Sequence, residues 1–210
     1  MASSSRKSTR SAKESPDGTE LLTLELQEIH NAESQLARVL PRLMKAVESE
    51  QLQKGIEKRM QQGERLIGEI ESALEEMDAS PGRKKNAAAE GLINEAREHV
   101  QEIERGPALD AVLIATLQKT EHYCIAAWGT ARALGSAAGN KDVVKSMERA
   151  LQEGKQMDEA LTKLAEEEVN PQVFAGAESE ETEEEDGEEE EAASAPRSRK
   201  GGRQENRKSS

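Results

Sequence analysis

Glu121 sits in the middle of an apolar stretch, Asp110 to Gly135, DAVLIATLQKTEHYCIAAWGTARALG. Ile114, Leu117, Cys124, Ile125 and Trp128 lie at offsets −7, −4, +3, +4 and +7 from it. On a helix that spacing puts the carboxylate inside the hydrophobic stripe, where it is costly unless paired, protonated or bound to a metal. Two further acids share the pattern. Glu33 stands +7 from Leu26, +4 from Ile29 and −3 from Leu36, and Asp158 stands +7 from Leu151 and −3 from Leu161. Inward carboxylates on facing long helices are the donors with which four-helix bundles hold two iron or manganese ions. Glu33, Glu121 and Asp158 are therefore the candidate metal ligands. The same acids could instead be answered by buried cations or donors, and Arg59, Arg132, Tyr123 and Trp128 are available. Spacing alone leaves both readings open.

Other chemistry has little support. His122 and His30 lie one position from the apolar stripe and His99 reads as a surface residue. Cys124 shares the Glu121 face and reads as a small buried hydrophobe, with no Cys-His nucleophilic arrangement around it. There is no phosphate-cradling Gly-rich loop, nucleophile elbow or zinc-type Cys/His spacing. No catalytic residue is assigned, and whether the protein is an enzyme stays open. Any reaction would have to come from a metal, iron or manganese.

The elements that must position these residues are helices. Leu22, Leu26, Ile29, Leu36, Leu40, Leu43 and Val47 recur three, four or seven apart, with Asp17 or Thr19 as N-cap and Pro41 predicting a kink. A second pattern runs from Leu52 through Ile56, Met60, Gly63, Ile67, Ile70 and Leu74 to Met77, before the breakers Asp78, Ser80, Pro81 and Gly82. A shorter helix spans about 84–104 and ends at Gly106-Pro107. The Glu121 helix follows, closed by a loop from Gly135 to Asn140. A fifth helix covers about 141–168 and stops before Asn170-Pro171. Four long helices plus one short one predict an all-α, antiparallel four-helix bundle with an accessory helix.

Composition agrees. The chain of 210 residues is 34% charged and only 1% aromatic, which suits aliphatic helix packing in one domain plus tails. We divide it into a basic, disordered 1–17, a helical domain 18–170 and a disordered 171–210, acidic then basic. One cysteine excludes an internal disulfide, and no transmembrane span or secretory signal is evident, which predicts a cytoplasmic protein. The formal net charge of −13 leaves about −9 on the helical body once the tails are subtracted. That is unfavourable for binding a phosphate backbone; nucleic acid is expected at most in weak contact with the basic tails.

At particular segments the chain resembles a known family. HNAESQLARVLPRLMKA in the first helix, AEGLINEARE in the third, the Glu121 segment in the fourth and LQEGKQMDEALTKLAEEEVN in the fifth are similar, in order and spacing, to the YciE/YciF-like group of bacterial ferritin-like proteins. This is a domain family of unknown function linked to stress responses. The resemblance implies a ferritin-like bundle, a candidate di-iron centre and a homodimer. It matches Glu33 to the family's first-helix glutamate and Glu121 to the first acid of its Glu-His-Tyr-Glu segment. Departures accompany these matches. Cys124 stands at the second acid of that segment. Arg59, Met60, Gln61, Gln62 and Gly63 replace a His-Leu-Glu-Glu-Thr run, and Gln152, Glu153 and Gly154 replace an acidic triplet. These changes remove anionic ligands that two divalent ions require. The expected function is a stress-associated structural or interaction protein with a degenerate metal centre. The alternative is an iron- or manganese-binding protein of oxidative stress or iron handling.

Overall fold

A computed structural model describes residues 15–83 and 85–175, and the sequence readings for the remaining tail residues lie outside it. Five helices follow in order: α1 Gly18–Ala46, α2 Glu50–Glu76, α3 Ala87–Glu102, α4 Pro107–Ala138 and α5 Lys141–Leu164. Among the described residues there is no strand. Four of the five starts carry a side-chain cap, and α4 begins instead with Pro107 in its first turn. Asp17 accepts from the backbone of Thr19 and Glu20 while Glu20 reaches back to Asp17, a reciprocal capping box. Ser49, Asn86 and Asn140 cap α2, α3 and α5.

The bundle follows from the connections. Three residues join α1 to α2 and two join α4 to α5, so both pairs are antiparallel neighbours. α1 also packs on α4 and α2 on α5, closing a ring in the order α1, α2, α5, α4. The α2–α4 connection must return the chain to the opposite end of the bundle. It does so through α3, which lies against α1 and α4. A continuous core runs through the ring, with Leu26, Leu52, Ile56, Leu74, Leu113 and Trp128 wholly enclosed.

At one end the start of α4 fastens the α1–α2 turn. The buried Asp110 carboxylate accepts from the backbone N–H of Glu48 at 2.9 Å and of Ser49 at 2.7 Å. Arg105 donates to the Val47 carbonyl at 3.2 Å beside it.

α1 runs through Pro41 to Ala46, in keeping with an apolar pattern that spans the proline. Other boundaries differ from the sequence expectation. α4 does not end at Gly135 but runs to Ala138, where Gly139 takes the left-handed conformation at φ 73°. Gly135 is a contact point: a Cβ there would lie 2.9 Å from Val143 Cγ1, so the glycine lets α5 turn back closely. The helical run that begins with α5 does not stop before Pro171 either. A π-helical turn over Ala165–Val169 leads into a helical stretch at 170–175, part of which was expected to be tail.

Candidate functional site

Glu33 of α1 and Glu121 of α4 do face the interior, each about 1% exposed. Between them lies the equally buried side chain of Arg59, from α2. Its guanidinium donates from Nη1 to Glu33 Oε2 at 2.9 Å and from Nη2 to Glu33 Oε1 at 3.0 Å, a forked pair. Nε donates to Glu121 Oε1. Nη2 also lies 3.7 Å from Cys124 Sγ, and the Trp128 ring centroid is 5.5 Å from the guanidinium carbon. One cation thus meets two carboxylates, a thiol and an indole face, joining three of the four bundle helices.

The electrostatics follow from enclosure. Burial works to strip the proton from Arg59, but Glu33 and Glu121 outweigh it and hold its pKa well above the ordinary value. Burial raises the pKa of Glu121, and Arg59 opposes that rise. Burial, reinforced by Glu33, pushes the Cys124 thiol well up despite Arg59. Glu121 Oε2 and Trp128 Nε1 are buried without a hydrogen-bond partner.

Two glycines make room. A Cβ on Gly63 would lie 3.1 Å from both Arg59 Nη1 and Glu33 Oε2. A Cβ on Gly154 of α5 would lie 2.6 Å from Trp128 Cζ3 and 3.3 Å from Glu121 Oε2. The guanidinium and the indole therefore fill volume that side chains at 63 and 154 would claim. Their positions inside helices, where glycine costs about 1 kcal/mol relative to alanine, were the available sequence signal.

The third candidate ligand adds its charge to the rise at Glu121 but is bonded elsewhere than to Arg59. Asp158 is partly exposed, accepts from Gln118 at 3.1 Å and pairs with His122 Nε2 at 3.3 Å on the bundle flank. His30 pairs with Glu71 at 2.8 Å. Among the available core partners, Arg59 is the one that bonds the acids. Tyr123 instead accepts from Asn86, and Arg132 pairs with Glu148 at 3.7 Å. An open groove of about 430 Å³ between α2 and α5 is lined by Arg65, Glu69, Asp142, Lys145 and Arg149. Its charges are used locally, Arg65 on Glu153 and Arg149 on Glu69.

The donor set does not fit the two-metal centre that the resemblance implies. Both core carboxylates converge on a guanidinium, Cys124 is held as a thiol, and among the described residues no three His, Cys, Asp or Glu side chains gather in a metal-holding arrangement.

Fold and site together define a ferritin-type four-helix bundle whose centre is closed by an arginine. Residues 17–174 match the family described as a domain of unknown function, DUF892, and the chain belongs to that family. It is 36% identical to protein YciF of Escherichia coli K12 over 146 residues, covering 69% of this chain and 88% of that protein. The crystal structure of the E. coli stress protein YciF superimposes with a TM-score of 0.69 at 34% identity, over 73% of this chain and 98% of that one. YcfI of Rhodopseudomonas palustris, provisionally described as a structural protein, gives 0.66 at 28% identity, over 70% and 94%. A Xanthomonas campestris protein at 19% identity shares the fold with a TM-score of 0.60, over 79% and 99%. Among the described residues no helix is long and apolar enough to cross a membrane.

Proposed function

We propose that this protein is a stress-associated structural or interaction protein, a ferritin-type bundle whose interior is sealed by an ion cluster instead of serving as a redox centre. The observation that carries this reading is the Arg59 guanidinium donating to both Glu33 and Glu121. A fixed positive charge between two carboxylates engages both oxygens of Glu33 and Oε1 of Glu121, and it repels an incoming divalent ion. The descriptions of E. coli YciF as a stress protein and of R. palustris YcfI as structural support the stress-associated and structural parts. The family resemblance carries the further expectation of a homodimer, and the single cysteine that of a cytoplasmic protein.

Elemental analysis of the full chain after aerobic expression with added Fe(II) and Mn(II) tests the reading. The expected result is no stoichiometric iron or manganese. Stoichiometric metal that is lost on Glu121→Ala would overturn it in favour of metal-dependent iron or peroxide handling. Light scattering coupled to size exclusion checks the dimer.

A further inference from the structure

The disagreement between the expected metal centre and the observed cluster has a shape as well as a charge. Glu33 presents both oxygens to the two terminal nitrogens of one guanidinium, at 2.9 and 3.0 Å. Glu121 takes the third direction in the same plane of donors, from Nε. The Trp128 indole offers a ring face at 5.5 Å, and the backbone at Gly63 leaves 3.1 Å to Nη1 where a Cβ would stand. Flat forked recognition by a carboxylate, an aromatic face and a wall without side chains suit a planar, delocalised cation. They do not suit a point charge that demands several ligands close around it.

We propose that the bundle interior is a guanidinium-specific cage with Arg59 as its tethered occupant, and that the cage, once emptied, takes a free guanidinium ion in preference to a divalent metal ion. This rests on the reading that Arg59 answers the two core acids. It goes further in assigning the selectivity to Glu33, Gly63, Glu121 and Trp128, so that loss of Arg59 alone does not restore a metal centre.

The experiment uses the full chain with Arg59→Ala and Arg59→Lys. Trp128 is the single tryptophan and lies against the cage, so its emission reports occupancy directly. Arg59→Ala is expected to lower Tm by about 10 °C. Guanidinium chloride in the low millimolar range should then change Trp128 emission saturably. It should also raise Tm by about 3 °C at ten times its Kd, relative to equal methylammonium chloride. The same titration should do nothing to the unaltered protein or to Arg59→Ala combined with Glu33→Gln. Mn(II) and Co(II) should produce neither response. Arg59→Lys, which keeps the charge but loses the fork, should melt well below the unaltered protein.

Saturable Mn(II) or Co(II) binding by Arg59→Ala, no guanidinium response from a folded Arg59→Ala, or an Arg59→Lys melting within about 1 °C of the parent would each overturn the cage. If Arg59→Ala does not fold, the lysine variant decides the point alone. The two proposals fail separately: metal in the unaltered protein defeats the functional reading, whereas metal only in Arg59→Ala defeats the cage.

Discussion

Arg59 and its two glutamates show why a buried ion cluster should be judged by what its removal leaves behind. The Coulomb gain of such a cluster is offset by desolvation of all three groups, so its net contribution can be small. Breaking it is different, because an uncompensated charge stays in the core. Arg59→Met is therefore expected to destabilise the fold by about 3–5 kcal/mol in urea melts. Replacing all three members, Glu33→Leu with Arg59→Met and Glu121→Leu, should recover most of that loss, since no buried charge is then left unpaired. Failure of the triple variant to recover would mean that the cluster supplies net stability of its own. The neighbouring Cys124 gives a second residue-level test. Its thiol is 2% exposed and its pKa is well above the ordinary value, so thiolate is scarce at neutral pH. Alkylation of Cys124 at pH 8 should be slower in the native protein than in urea by about 100-fold or more, following the population of open states. Ready native alkylation would show a core far looser than this one.

At the scale of elements, Asp110 forms the joint that fastens the α1–α2 turn at one end of the bundle. Its carboxylate replaces the missing partners of two backbone N–H groups at the start of α2, sixty-odd residues away in sequence. Asp110→Ala removes the charged acceptor of both part-buried hydrogen bonds and should cost about 1–3 kcal/mol, with Asp110→Asn losing less because one acceptor oxygen remains. Gly154→Ala should also destabilise, by about 1–3 kcal/mol, because the added methyl meets the Trp128 ring. A neutral outcome for either variant in denaturant melts would show that the turn or the indole has room to move. These two residues also mark the limit of what the sequence made legible. Periodicity was enough for five helices, their order and the inward direction of Glu33 and Glu121, because each depends on neighbours within two turns. The roles of Asp110, Gly63, Gly154 and Gly135 depend on what lies opposite in space, and a single chain carries no record of that spacing. Arg59 was legible as an available partner, since an arginine among core positions must meet an anion. Asp158 was read as inward because leucines flank it at helical spacing, yet Gln118 and His122 hold it on the flank.

For the whole molecule, salt separates the charges that organise the interior from those that decorate it. The formal net charge of −13 repels itself, so added NaCl should stabilise every variant through a common term. Differences between variants remove that term. Arg149 pairs with Glu69 across α2 and α5, but the arginine is 41% exposed, so the pair is open to screening. Arg149→Ala should cost about 0–1 kcal/mol at low salt and nearly nothing at about 1 M NaCl, where the Debye length is about 3 Å. The Arg59 cluster is enclosed on every side, with side chains of Glu33, Arg59 and Glu121 at 1–2% exposure. Mobile ions cannot approach it, so the penalty of Arg59→Met should be the same at about 0.05 M and about 1 M NaCl, within about 0.5 kcal/mol. Paired urea melts of the three proteins at both salt concentrations measure this. A penalty for Arg59→Met that faded with salt, as expected of Arg149→Ala, would place water and ions within reach of the cluster, and a wet centre would count against the sealed interior proposed for this bundle.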